Sequence, residues 1–175
     1  AAVSAETARQ LSAGFGVPAD RAVVAHTGVS DRFLSTGRRV RTIDELRLVM
    51  VGALTREKQP QVGVEILAAL VDSFPARLRL VGAGNLGDEV AAAARRLGVD
   101  SAVEIVGSVS DVGPHLEWAD VVLLTSLTEG LPGVLLEAAA GGLPAVAFDV
   151  GGTAEAVVDG VTGFVVDARD TKAAA

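Results

Sequence analysis

Residues 125–152, TSLTEGLPGVLLEAAAGGLPAVAFDVGG, decide the fold. They read as the end of a buried strand, a sharp loop, a helix, a second buried strand and a Gly-Gly turn. Pro132 suits the first turn of the helix. Glu129 then precedes the helix and Glu137 rides its second turn. On a single helix, eight residues turn through about 800 degrees, which would leave the two acids roughly 80 degrees apart. The loop instead frees Glu129 to lean over the strand ends. Gly151, Gly152 and Thr153 open a further helix, where free N–H groups are natural anion donors.

The same alternation extends in both directions. Strands are expected at 45–52, 76–84, 101–109, 120–126, 143–152 and 162–167, and helices at 58–74, 85–99, 111–119, 131–142 and 152–160. Six strands alternating with helices predict an α/β fold, a Rossmann-like parallel sheet covered on both faces with right-handed crossovers. Ligands of such sheets bind beyond the carboxyl ends of the strands, where the winding reverses. The loops of interest, at 52–58, 82–87, 107–111, 125–132 and 149–153, all follow strands. Ahead of this unit, residues 4–15 suggest a helix capped by Ser4, residues 22–25 a short strand, and residues 35–44 a polar linker. Two parts are therefore expected: residues 1–43 as an interdomain carry-over, and residues 44–175 as the binding domain, cut short at its C-terminal end.

Composition narrows the function. Half of the 175 residues are apolar, 20 are Gly and few are aromatic, which suits valine-rich strands against alanine-rich helices. The net charge of −7 and the absence of a long basic run speak against nucleic acid as a partner. The chain has no cysteine, so it has no disulfides or thiolate ligands, and a cytoplasmic location is expected. No secretory leader is expected at AAVSAETARQ. The most apolar stretch, 133–148, is too short and too interrupted for a membrane span.

Gly82-Ala83-Gly84-Asn85-Leu86-Gly87 matches the dinucleotide pattern GxGxxG between a strand and a helix. It follows the second sheet strand, however, and Glu104, the acid at ribose spacing, falls inside a strand. NAD binding is thus the weaker reading, and tight turns that line a pocket are the stronger. Lys58, with Arg56 as a neighbour, can reach a diphosphate from the loop after the first strand. Carboxylates accept hydrogen bonds from vicinal hydroxyls, so Glu129 and Glu137 suit a sugar ring and a ribose. Glu137 interrupts an apolar helix and needs a partner. His26, His115 and Trp118 read as structural, and Asp149 as a loop residue. Ser126 and Thr128 lack a base that would make them nucleophiles.

Taken together, EGLPGVLLE at 129–137, VGALTREK, LRLVGAGN and VEIVGSVS resemble the retaining GT-B glycosyltransferases of the E-x7-E, family 4-like class, over about 46–167. HTGVSDRF at 26–33 resembles the turn ahead of their donor domain. The resemblance implies the C-terminal donor-binding half of a two-domain enzyme that moves a sugar from a nucleoside-diphosphate sugar to an acceptor. It implies Lys58 on the diphosphate and Glu129 on the sugar hydroxyls as the catalytic pair, and Glu137 on the ribose. Gly52, Ala53, Arg56, Gly82, Gly130, Leu131, Gly151, Gly152 and Thr153 would complete the donor site, with Val106 to Val109 along the base. No metal or other cofactor is implied. Ala53 departs from the pattern, since the family often has arginine there. The acceptor domain would be the missing partner, and any peripheral membrane contact would run through it. Alone, this half is expected to bind donor weakly and to be inactive. A non-catalytic nucleotide-sugar binding module is the alternative.

Overall fold

The computed structural model describes residues 1–34 and 44–167. The expected linker at 35–44 and the residues after 167 therefore lie outside the described residues, apart from Asp44. Six strands form one parallel sheet: β1 (Leu46–Val51), β2 (Ala76–Val81), β3 (Val103–Gly107), β4 (Val121–Leu124), β5 (Ala145–Phe148) and β6 (Gly163–Val166). The spatial order is β3-β2-β1-β4-β5-β6. The chain winds outward from β1 in one direction, returns, and continues from β4 in the other. β1 thus pairs with β2 on one side and with β4 on the other.

Helices α2 (Pro60–Val71), α3 (Gly87–Arg96), α4 (Gly113–Trp118), α5 (Gly133–Ala140) and α6 (Thr153–Ala156) connect the strands, and α1 (Ala5–Phe15) precedes them. Alternate side chains of a strand point to opposite faces. Leu48, Met50, Leu78, Leu80 and Leu123 accordingly pack with Val64, Leu67 and Val90 of α2 and α3. Val49, Val81, Val122, Leu124 and Ala147 pack on the other face with Leu116 of α4 and Leu135 and Ala138 of α5. Both faces of the sheet are covered, as near-continuous apolar strands require.

Local chemistry sets the helix ends. α2 opens on Pro60, whose missing N–H costs nothing there. α3 carries Asp88 and Glu89 in its first turn and Arg95 and Arg96 in its last, matching the helix dipole at both ends. Ser4 caps α1, its side chain accepting from the Thr7 N–H at 3.0 Å.

Three expectations are corrected. Residues 22–25 make no strand; Val24 forms a single bridge to Ala2. The helix expected over 152–160 stops at Ala156, because Val157 is extended and the Val158 N–H bonds the Thr162 hydroxyl at 2.9 Å. Pro132 sits one residue outside α5, as its N-cap, rather than in its first turn.

The glycines of the dinucleotide-like pattern have a packing role. The loop after β1 lies directly against the loop after β2. Leu54 N–H bonds Ala83 O at 3.1 Å, and Leu86 N–H bonds Leu54 O at 3.0 Å. A β-carbon on Gly84 would overlap the Leu54 main chain, and one on Gly82 would overlap the Gly52 carbonyl. Gly84→Ala should therefore lower stability by about 1–3 kcal/mol, as overpacking does. Gly133→Ala, where a β-carbon meets nothing within 4 Å, should leave stability unchanged or raise it slightly. Urea midpoints of the two variants test the contrast, and equal midpoints would refute it.

Candidate functional site

The reversal of winding between β1 and β4 leaves a crevice at the carboxyl edge of the sheet. Gly52, Ala53, Lys58, Thr125 and Ser126 line it. From one side comes the loop 52–59. The stem of Lys58 lies along Gly52, its Cγ 3.7 Å from where a β-carbon would stand, so Gly52 gives the lysine its path over the strand end. From the other side comes the loop 125–132, which carries Glu129.

These two loops meet. Lys58 Nζ donates to Glu129 Oε1 at 2.7 Å, and the Ser126 hydroxyl donates to the same oxygen at 2.6 Å. The Leu127 N–H reaches Glu57 O at 2.8 Å, and the Thr125 hydroxyl reaches the Lys58 and Gln59 carbonyls at 3.1 and 3.0 Å. The Glu129 side chain is 10% exposed and that of Lys58 29%. A carboxylate this sheltered needs charged or hydrogen-bonded partners, and it has both. The ammonium has three donors and commits one to Glu129, leaving others for a ligand. The weaker approach of Glu57, at 3.9 Å, lies on the exposed side.

The Gly-Gly turn abuts the same loop. The Gly152 N–H donates to Gly130 O at 2.8 Å. Gly151, at φ +53, lies so close to the Glu129 main chain that a β-carbon would overlap the Glu129 carbonyl. Two of the N–H groups expected to be free are therefore engaged: that of Gly152 by Gly130, and that of Thr153 by Val150 O at 3.1 Å. α6 is also only 4 residues long, so it adds little dipole. Among the described residues, the N–H groups of Gly130, Leu131 and Gly151 have no protein acceptor.

Glu137 lies on α5 and is half-buried. Burial holds its carboxyl above the ordinary carboxylate value of 4.5; Arg32 opposes that shift and Asp111 adds to it. Arg32 and Asp111 are themselves 3.7 Å apart. Among the described residues no protein donor hydrogen-bonds the Glu137 carboxylate. Asp111 lies in the loop after β3, so the Glu137 carboxylate is within electrostatic reach of that strand-end loop.

The remaining candidates are more scattered. Val106 is partly buried against the α4–α5 face, while Val109 is exposed. Arg56 and Ala53 are exposed, and Gly82 is packed against Gly52. Glu104 is ion-paired with Arg79 at 2.8 Å, and Arg79 in turn covers Trp118 at 3.9 Å. The acid that the dinucleotide reading would need is thus spent on the sheet.

Two features escaped sequence reasoning. The Ser126 bond to Glu129 is one; its only trace is a hydroxyl three residues before the acid. The other is Glu155, whose two oxygens accept the N–H groups of Ala5 and Glu6 at 2.9 and 3.0 Å. Glu155 thereby ties the start of α1 to α6, with His26 alongside at 3.2 Å. These bonds hold its carboxyl below the ordinary value. Val3 and Ser4 consequently sit against Gly130 and Gly152. Among the described residues no cluster of three or more His, Asp or Glu side chains is arranged around a metal position. No helix among them is long and apolar enough to cross a membrane.

The family model for glycosyl transferases group 1 matches residues 45–175. The Vi polysaccharide biosynthesis protein VipC/TviE of Salmonella typhi is 38% identical over 116 residues, 66% of this chain and 20% of that protein. A D-inositol 3-phosphate glycosyltransferase of Actinosynnema mirum is 39% identical over 143 residues, 73% of this chain and 34% of that protein. The chain spans 20% to 45% of the length of the curated relatives it matches. In fold it is similar to WaaG, a glycosyltransferase involved in lipopolysaccharide biosynthesis, with a TM-score of 0.85 at 21% identity, covering 99% of this chain and 51% of WaaG. It is similar also to Anabaena HepE in complex with UDP-glucose, with a TM-score of 0.83 at 22% identity, covering 98% of this chain and 52% of HepE.

A prediction follows from Glu137. Its folded carboxyl titrates above the unfolded value, so the folded state holds the proton more tightly. Stability contributed by this group is complete below 4.5 and declines as pH rises through the raised folded value. Glu137→Gln should therefore melt higher than the parent at neutral pH, and the gap should close as pH falls below the ordinary carboxylate range. Thermal scans across that range check it; a gap that widens toward acid would contradict it.

Proposed function

The chain belongs to the group 1 glycosyl transferases, and from that membership we propose that it is the donor-binding portion of a retaining glycosyltransferase. The enzyme would move a sugar from a nucleoside-diphosphate sugar to an acceptor held by a second domain. Residues 44–175 are proposed as the donor domain, and residues 1–43 as part of the region that joins it to the acceptor domain. A cytoplasmic location is part of the same reading, with any membrane contact made through that other domain.

The observation that supports this most is the Lys58–Glu129 pair across the β1–β4 crevice. A diphosphate lying over β1 would take the remaining ammonium donors of Lys58. As the bond from the anomeric carbon to the diphosphate breaks, negative charge grows on the leaving oxygen, and a fixed ammonium there lowers the barrier. Glu129 would accept from sugar hydroxyls through Oε2, since Oε1 is already bonded twice. Glu137, with no protein donor among the described residues, would take the ribose hydroxyls, and that hydrogen bonding offsets the cost of its burial. Phosphate oxygens would be met by the N–H groups of Gly130, Leu131 and Gly151 rather than those of Gly152 and Thr153. Gly52 and Gly82 keep the strand ends low enough for the donor, and Val106 and Val109 would border the base. The phosphate charge is answered within this site by Lys58 and main-chain donors, with Arg56 as an outer cation.

A non-catalytic nucleotide-sugar module is the second reading. Ala53 favours it, because the loop after β1 then offers one cation fewer. Transfer activity of the full-length protein distinguishes the two.

Calorimetric titration with a panel of nucleoside diphosphates and their sugar conjugates tests the site. Glu137→Ala should weaken every member about 10-fold or more, the worth of hydrogen bonds to a charged group. Glu129→Ala should weaken the sugar conjugates and spare the bare diphosphates. If the panel binds Glu137→Ala as tightly as the parent, the ribose role is withdrawn.

A further inference from the structure

We propose that the adjacent hydroxyls of Thr125 and Ser126 are positioning residues, one setting the main chain that bears Lys58 and the other aiming the carboxylate of Glu129. The inference rests on the donor-site reading above and adds two residues to it.

Both side chains are almost wholly enclosed, Thr125 at 0% and Ser126 at 1% exposure. An enclosed hydroxyl without a partner is costly, and valine or alanine would fill the same space without that requirement. Both hydroxyls spend their single proton on the ion pair's own residues or a neighbour. Thr125 Oγ1 lies 3.1 Å from Lys58 O and 3.0 Å from Gln59 O, sharing its proton between them. Gln59 is the sole non-glycine residue of positive φ among those described, at 48°. A left-handed conformation there is unfavourable by about 1–2 kcal/mol. It directs the chain from Lys58 into α2, and the Thr125 hydroxyl holds its carbonyl from the strand opposite.

Ser126 acts on the other partner. Its proton goes to Glu129 Oε1 at 2.6 Å, the oxygen that Lys58 Nζ also meets at 2.7 Å. Two donors on one oxygen restrict the swing of the carboxylate and leave Oε2 without a protein donor among the described residues. Neither hydroxyl touches the reacting atoms in this arrangement. Each works through a residue that would.

The consequences differ for the two positions. Without the Ser126 proton, Glu129 loses its aim, so contacts to the sugar suffer while those to the diphosphate do not. Without the Thr125 proton, Lys58 loses its main-chain anchor, so the diphosphate itself is held less well. A role confined to folding would lower both affinities together with stability.

Titrations with UDP and UDP-glucose separate these outcomes. Ser126→Ala should weaken UDP-glucose about tenfold, the worth of one hydrogen bond to a charged group, and leave UDP within about twofold. Ser126→Ala combined with Glu129→Ala should be no weaker than Glu129→Ala alone, because the two act as one unit. Thr125→Val should weaken UDP and UDP-glucose equally, and Thr125→Ser should restore both. Equal weakening of both ligands by Ser126→Ala, or additivity with Glu129→Ala, overturns the proposal. So does a folded Thr125→Val with parental UDP affinity; if that variant does not fold, the Ser126 variants decide. If the parent chain binds neither ligand, it is the donor-site reading that falls. The aiming of Glu129 is then read from its carboxyl carbon resonance, which should move in Ser126→Ala and stay in Thr128→Ala; no movement overturns it.

Discussion

The reversal of winding between β1 and β4 is the constraint from which the site follows. Two neighbouring parallel strands send their chains to opposite faces of the sheet, one into α2 and the other into α5. Their outgoing loops leave in opposite directions, their main chains bonded where Leu127 meets Glu57, so a crevice stays open above the strand ends. Polar main chain at that gap needs partners. The sequence meets the need with side chains that bridge it: Thr125 to Lys58 and Gln59, and Lys58 to Glu129. The ion pair is therefore part of how the two halves of the sheet join, as well as a feature of a pocket.

That double role explains why the polar groups cluster here and so few lie in the core. Among the described residues, the buried polar side chains are Ser4, Thr125, Ser126 and Thr153. Thr125 and Ser126 belong to the crevice. Ser4 caps α1 and lies against Gly152, and Thr153 closes the turn that supports Glu129 from behind. Glu155 then attaches α1 to the same turn through two main-chain N–H groups. The start of α1 is thus linked to the turn beside the loop that bears Glu129 by hydrogen bonds as well as by the contact of Val3 with Gly130. Such contacts are directional and small in area, so movement of α1 would be felt at Gly130 and Gly152 before it was felt in the core.

Much of this was legible in the sequence, for identifiable reasons. Strands such as VVLL and AVAF are apolar on both faces, and only a sheet covered twice can use them. The Ser4 signal placed the start of α1. The placement of Lys58, Glu129 and the Gly-Gly turn at one edge followed from their all lying just after strands. What was not legible depended on which main-chain groups find each other. AVVA at 22–25 has strand composition, but its one partner is Ala2, and a single bridge makes no ladder. Gly151, Gly152 and Thr153 look like an anion-binding helix start. Their role as a brace appears only once Gly130 O is known to lie 2.8 Å from the Gly152 N–H. For the serine ahead of Glu129 the sequence only speaks against a nucleophile, because nothing in one dimension says that its proton goes to the acid.

The electrostatics of the site reconcile an acidic chain with an anionic ligand. A net charge of −7 repels anions at a distance, and at physiological ionic strength that repulsion fades within about 8 Å. Inside the crevice the balance is local. Lys58 is held next to Glu129, which spares the protein an unpaired charge on either side of the crevice. In the proposed donor site, a diphosphate would draw only part of the ammonium's hydrogen bonding and leave Glu129 as the other anchor. A lysine already fixed in this way loses little side-chain freedom on binding, and freedom not lost on binding is retained as affinity. The carboxylate paired with Lys58 would thus also set it in place for the proposed ligand, and this holds only while Glu129 itself is kept from following the lysine. The hydroxyl of Ser126, bonded to the same oxygen, supplies that restraint.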